Sequence, residues 1–291
     1  MKQPFQQTTG RATQPNKTGL LSSPCVRNSW AMHRLLAFSL ALLPILPLAA
    51  CKRAPLPPPV VLFDQGHGQH FLVGNKGELD LSKLGETFIE QGFQLKASFP
   101  DQDLTDESLT NVSTLIISGA FKPISDAEIK VVKKFLDRGG QLCIMLHIGP
   151  PLAALLNNLG VDVSNSVVRE QTNLPDPETP TDFYVTDLAT HPLTKGLTQI
   201  NLFGSWALNT ELPANVIAKT SPQAWVDLND NKSLDPGDAN QAFSVAVTGQ
   251  LGHGHFVVFA DDAIFQNRFL GEQNQQLATN LAGWLKDGSY Y

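Results

Sequence analysis

The segment Asp227-Leu228-Asn229-Asp230-Asn231-Lys232-Ser233-Leu234-Asp235-Pro236-Gly237-Asp238 carries oxygen-bearing side chains at spacings that suit a hard cation. Read as a twelve-position loop, it places Asp227, Asn229, Asn231, Asp235 and Asp238 at positions 1, 3, 5, 9 and 12. Ser233 offers its carbonyl at position 7, and Leu234 supplies the apolar residue that follows. An all-oxygen set predicts Ca2+. Two residues depart from the EF-hand pattern. Lys232 stands where the turn glycine belongs, which costs strain if its φ is positive. Asp238 replaces the longer bidentate Glu and reaches less far. The flanks read as strands, so the expected role is to pin a loop rather than to open a pair of helices. The competing reading is an Asp/Asn-rich polar turn between strands.

A second set of residues lies at expected strand ends. Asp64 and His67 follow the first strand, Ser118 and Gly119 end the third, His147 ends the fourth, and Asp261 and Asp262 end a late one. Ligands of open α/β sheets bind outside the carboxyl ends of the strands, so these seven residues are expected to face one ligand-binding crevice. His and Asp together can hold a metal or act as base and acid. A metal- or carboxylate-assisted hydrolase using Asp64, His67 and His147 is therefore the alternative to a purely binding site. The structural reading is that Asp64 or Asp261 caps a loop, Gly66 and Gly68 permit a tight turn, and His70 and His147 are hydrogen-bonded framework residues.

The elements that must position these groups alternate between strand and helix. Val60-Val61-Leu62-Phe63 is an apolar strand opening into Asp64-Gln65-Gly66-His67-Gly68. Helical spacing runs from Leu79 to Gln91 and stops at Gly92. Strands are expected at 93–99, 114–119 and 142–147. Ser125 and Glu128 form a capping box for a helix with an Ile129, Val132, Phe135 stripe, ended by Gly139-Gly140. A short helix starts at Pro150 or Pro151 and runs through Leu159. Residues 161–225 read as short strands and loops. Strands at 243–247 and 256–260, joined through Gly249, Gly252 and Gly254, precede a final amphipathic helix with Leu277, Leu281, Trp284 and Leu285 inward. The pattern predicts an α/β fold: a doubly wound, mostly parallel sheet with a C-terminal β-hairpin and helix.

Ahead of this body lies a targeting segment. From Met32, Arg34 gives a short basic region and Leu35–Leu48 an apolar run too short to span a bilayer but suited to a signal peptide. Leu48-Ala49-Ala50-Cys51 is similar to a bacterial lipobox, which predicts lipidation of Cys51 and a membrane partner. By resemblance to Gram-negative lipoproteins, Lys52, a non-Asp residue after the cysteine, implies the outer membrane, facing the periplasm, if the host is Gram-negative. Residues 1–31 read as a dispensable or mis-assigned leader, 32–51 as a lipoprotein signal peptide, 52–59 as a stiff Pro-rich linker and 60–288 as one domain.

The chain has 291 residues, 42% hydrophobic and 16% charged, with a formal net charge of -6. No basic stripe is present, which argues against nucleic acid. Its 3 cysteines leave only Cys143 in the folded part, so no internal disulfide is expected, and Cys143 reads as a small buried hydrophobe.

The run Phe63-Asp64-Gln65-Gly66-His67-Gly68-Gln69 resembles the opening of the DUF4350 type of domain within the class I glutamine amidotransferase-like fold, which is flavodoxin-like. Ile117-Ser118-Gly119-Ala120, the Ser-x-x-Glu helix and Gly139-Gly140 fit as well. So do His191-Pro192-Leu193-Thr194-x-Gly196, Phe259-Ala260-Asp261-Asp262 with Asn267, Asn274 and Trp284-Leu285. The resemblance covers about residues 60–286, nearly the whole mature chain. Related domains occur in auxiliary proteins of ABC-type export systems and in intraflagellar transport proteins, so it implies an envelope or export complex as a possible partner. It also tests for amidotransferase chemistry. That chemistry needs a Cys at a tight strand-to-helix turn, whereas Cys143 falls within a strand and the turn region offers His147 or Ile148. The expected function is a membrane-anchored envelope lipoprotein whose non-catalytic domain binds a small ligand, a glycan or a protein partner.

Overall fold

Val60–Phe63 forms the first strand, β1, and is buried throughout, as an apolar run without polar alternation requires when both faces are covered. The computed structural model describes residues 57–211 and 214–288. The leader, the lipobox with Cys51 and residues 52–56 of the linker lie outside the described residues. After β1 come α1 (Ser82–Glu90), β2 (Gln94–Ala97), β3 (Thr114–Ser118), α2 (Asp126–Asp137) and β4 (Gln141–Met145). α2 begins at the expected capping box. Ser125 Oγ accepts from the Glu128 amide, and the Glu128 carboxylate accepts from the Ser125 amide, so two otherwise orphaned donors are satisfied.

A 3-10 turn at Pro150–Leu152 and α3 (Ala153–Asn158) lead into a strand-rich stretch. It holds β5 (Val161–Arg169), β6 (Asp182–Val185), β7 (Asp187–Leu188), β8 (Ile200–Phe203) and β9 (Trp206–Thr210). β10 (Ala214–Lys219), β11 (Trp225–Val226) and β12 (Ala239–Asn240) follow. The chain ends with β13 (Ser244–Leu251), β14 (Gly254–Phe259) and α4 (Glu272–Asp287).

β2, β1, β3, β4 and β14 lie side by side in parallel. β14 then pairs antiparallel with β13, and the sheet continues through β9, β5, β11 and β12, with β10 and β7 on a branch from β13. β6 and β8 form a separate pair. The expectation of a mostly parallel sheet is corrected. Among the described strands four pairings are parallel and eight antiparallel. Among the described residues, the stretch from β5 to β13 has no long helix to serve as a crossover, and strands joined without one pair antiparallel. The architecture is mixed α/β.

Two glycines tie the hairpin to this frame. A Cβ on Gly254 would lie 2.1 Å from Gly140 O and 2.6 Å from Leu136 O, both backbone, so β14 can enter the sheet beside the end of α2 only without a side chain. Gly249 sits inside β13 rather than at its turn, opposite Phe256, and a Cβ there would lie 2.2 Å from that ring. The turn itself falls at Gly252, with φ +61°. The core runs continuously beneath both halves of the sheet, from Val61 and Phe88 to Leu208 and Leu285.

Candidate functional site

Two polar clusters, rather than one, stand at the carboxyl ends of the parallel strands. In the first, His67 donates from Nδ1 to Asp64 Oδ2 (2.7 Å) and from Nε2 to Glu128 Oε1 (2.9 Å). Both ring nitrogens point at carboxylate oxygens, an arrangement that favours the doubly protonated ring over the neutral one. Burial opposes that charge, but the hydrogen bond and charge of Asp64, with those of Glu128, outweigh it and raise the His67 pKa above its ordinary 6.5. For Glu128, burial opposes ionisation. The Ser125 hydroxyl, the amides of Leu104 and Ser125 and the charge of His67 together hold its pKa below the usual carboxylate value. Gln69 donates to Asp64 Oδ2 (2.6 Å) and accepts from the His67 amide (2.8 Å). Ser98 Oγ lies 3.4 Å from Asp64 Oδ1 and accepts from the Gln65 amide. The cluster is a closed clamp, with every polar atom of the His67 ring spent on protein partners. The His67 carbonyl in turn accepts from the amides of Phe121 and Lys122, both at 2.9 Å, which fixes the loop after β3.

That loop carries a wall of the second cluster. His147 lies beyond the end of β4 and faces Asp262, beyond β14, with Nδ1 to Oδ1 at 3.1 Å. The Asp262 side chain is 1% exposed and that of His147 37%. The hydrogen bond to Asp262 leads the causes that raise the His147 pKa, with the charges of Asp262 and Asp261 adding to it against burial. Burial pushes Asp262 up. Asp261 is pushed up to about 8 by its complete burial, although its oxygens accept from the Phe203 and Ala263 amides at 2.6 and 2.8 Å. Gly119, at φ +58°, allows the close approach, because a Cβ there would lie 2.7 Å from Asp262 Oδ2. Trp206 Nε1 donates to the His147 carbonyl (3.0 Å), and the rings of Phe71 and Phe121 flank the imidazole with centroids at 5.0 and 5.3 Å. Ser118 Oγ and Asp262 Oδ2 are both buried without a hydrogen-bond partner among the described residues.

The structure thus brings His147, Asp262 and Gly119 together, with Asp261 and Ser118 buried beside them in sequence, and assigns Asp64 and His67 to the clamp. No hydrogen bond joins His67 to His147. Glu128 and Ser98 escaped sequence reasoning. Glu128 was legible only as a capping-box acid, and its distance of 61 positions from His67 offered no signal for the second bond. Cys143 lies in the middle of β4, fully buried, and burial drives its thiol pKa well up, so no reactive thiolate forms there.

The 227–238 segment is the loop of a hairpin closed by β11 and β12. Asp227 is buried and accepts from the amides of Asn231 (3.2 Å) and Lys232 (2.7 Å). Asp235 takes side-chain bonds from Asn229 and Asn231, while Asp238 accepts from the amides of Leu228 and Asp235. Ser233 donates its amide to Asn231 Oδ1 (2.8 Å). Lys232 has φ +63°, the left-handed conformation that a glycine takes at little cost. Among the described residues no group of three or more His, Cys, Asp or Glu is arranged to hold a metal ion.

Residues 90–282 match the family described as a domain of unknown function, DUF4350. The chain belongs to the DUF4350 family. No curated protein matches it. Among solved structures, this DUF4350 chain is similar to the mmIFT52 N-terminal domain, with 19% identity and a TM-score of 0.63 over 80% of this chain and 100% of that one. A cytoplasmic protein of Salmonella typhimurium LT2, STM1381, is similar at 16% identity and a TM-score of 0.50, over 78% of this chain and 99% of the other. At these identities the likeness is one of fold.

Proposed function

We propose that this DUF4350 protein is an envelope lipoprotein, anchored through Cys51, whose domain binds a ligand or partner without catalysis at the crevice around His147. Residue His147 carries the reading. Its ring is fixed at Nδ1 by a buried carboxylate and flanked by Phe71 and Phe121, which leaves Nε2 as a hydrogen-bonding handle in an apolar rim. The hydroxyl of Ser118 and the thiol of Cys143, which could act as nucleophiles, are sealed in the core. The parallel strands run β2-β1-β3-β4-β14, the 2-1-3-4-5 order of flavodoxin-like doubly wound sheets, and this supports the amidotransferase-like reading of the scaffold. An accessory role beside an export system follows from the same resemblance.

The imidazole–carboxylate pair also favours a second reading, in which His147 is the base of a hydrolase. One experiment separates the two. The full chain in detergent is offered ester, amide, phosphoester and glycoside reporters, together with a thermal-shift panel of glycans and envelope peptides. The binding reading predicts no turnover, and a stabilising ligand whose shift is lost in His147→Ala. Turnover that falls by about two orders of magnitude or more in His147→Ala supports the hydrolase and ends the binding reading.

Calcium at 227–238 is part of the proposal as a loop-pinning ion, supported by the left-handed Lys232 at the glycine position and by the six candidate oxygen ligands Asp227, Asn229, Asn231, Ser233, Asp235 and Asp238. Calorimetry should give a saturable heat that disappears in Asp227→Ala. Silence at millimolar calcium removes the ion and leaves a polar turn.

A further inference from the structure

A pocket of about 700 Å3 lies between the segment 188–197 and the last turns of α4. Its lining includes Leu188, His191, Lys195, Leu197, Trp284 and Asp287. The walls are fixed by bonds to neighbouring elements. Asn280 Nδ2, on α4, donates to the carbonyls of Leu193 (2.9 Å) and Lys195 (2.8 Å). Thr194 Oγ1 donates to Ala189 O (2.6 Å), and Gln273 accepts from the Thr198 amide (2.9 Å). The groove is therefore pre-formed, and a ligand would pay little to order it.

Its polar groups have defined roles. His191 Nδ1 accepts from the Leu193 amide (3.1 Å), so a neutral ring carries its proton on Nε2 and is a donor there. Burial lowers the His191 pKa and favours that neutral form. The ring meets Trp284 edge-on at 5.6 Å. Lys195 and Asp287 are exposed, and neither forms an ion pair among the described residues. They leave a positive and a negative group around a floor and walls of Trp284, Leu188 and Leu197. Pockets of this volume hold ligands of drug-like size, with apolar walls for the body and a few polar groups for orientation.

We infer that this groove binds a short zwitterionic peptide of two or three apolar residues, with its carboxylate at Lys195 and His191 Nε2 and its ammonium at Asp287. The apolar side chains lie on Trp284, Leu188 and Leu197. This site is additional to the His147 crevice and stands whether or not that crevice binds anything.

The test is calorimetry of the full chain in detergent with leucyl-leucine, its N-acetyl form and its C-terminal amide. The free dipeptide should bind saturably, and blocking either end should weaken binding roughly three- to tenfold, the worth of one partly exposed charge contact. Lys195→Gln should weaken the free dipeptide by a similar factor and leave the amide unchanged. Thr190→Trp, at an exposed position on the groove wall, should abolish binding by filling the space. No heat with the free dipeptide at several millimolar, or equal affinity in wild type and Thr190→Trp, overturns the assignment.

Discussion

Replacing His67 by Ala should destabilise the domain by about 3–5 kcal/mol, the usual cost of removing one partner from a buried ion pair. Asp64 Oδ2 and Glu128 Oε1 lose a 2.7 Å and a 2.9 Å charge-assisted bond at once, and both carboxylates stay in a site that water barely reaches. Gln69 and Ser98 still serve Asp64, and Ser125 and Leu104 still serve Glu128, which keeps the loss from running higher. Urea unfolding measures it directly. The pH dependence identifies the cause. His67 has a raised folded pKa, so its contribution is complete below its ordinary 6.5 and fades as pH rises through the folded value. Glu128 has a lowered folded pKa, so its contribution is complete above its ordinary 4.5 and fades as pH falls through the folded value. The gap between wild type and His67→Ala should therefore be widest between about pH 4.5 and 6.5 and narrow on the alkaline side. A gap that stays constant up to pH 9 would mean that the ring acts through packing alone. Loss of the clamp should also loosen the Phe121–Lys122 loop held by the His67 carbonyl, and with it one wall of the crevice around His147.

The clamp joins residues that local sequence rules do not connect. Local rules gave the strand at Val60–Phe63, the Ser125–Glu128 box and the apolar face of α4, because each depends on neighbours within a few positions. Glu128 satisfied its local motif completely, so nothing in the sequence announced that its other oxygen spans the fold to His67. Asp64 and His67 belonged with Ser118 and His147 by the strand-end rule, and all do lie at the carboxyl ends of parallel strands. Which of them touch depends on loop paths that the rule does not contain. The antiparallel half was legible as strands but not as a sheet. Its pairings join distant residues, such as Val163 with Leu208 and Ala214 with Gly249, and short strands of ordinary polarity carry no register signal of their own. Gly249 shows the same limit. A glycine near a hairpin reads as a turn, whereas here it makes room for the ring of Phe256 on the partner strand.

Cys51→Ser should abolish incorporation of labelled fatty acid into the full chain, an all-or-none effect. In the proposed anchor, the apolar run Leu35–Leu48 leads to Leu48-Ala49-Ala50-Cys51, whose one thiol would take the lipid. Stable anchoring takes two acyl chains or more, each gaining about 0.8 kcal/mol per buried CH2, and a serine cannot carry the thioether through which a lipobox cysteine holds them. Among the described residues no helix is long and apolar enough to cross a membrane. The wild type should partition into the detergent phase of a Triton X-114 separation, and the variant, once processed, should move to the aqueous phase. A chain begun at Met32 should behave as the wild type does, because the basic residue, the apolar run and the cysteine all follow it. Fatty-acid label that persists in Cys51→Ser, or is missing from the wild type in a bacterial host, would remove the anchor from the proposal. The His147 crevice would then have to be considered for a protein that is not tethered at a membrane.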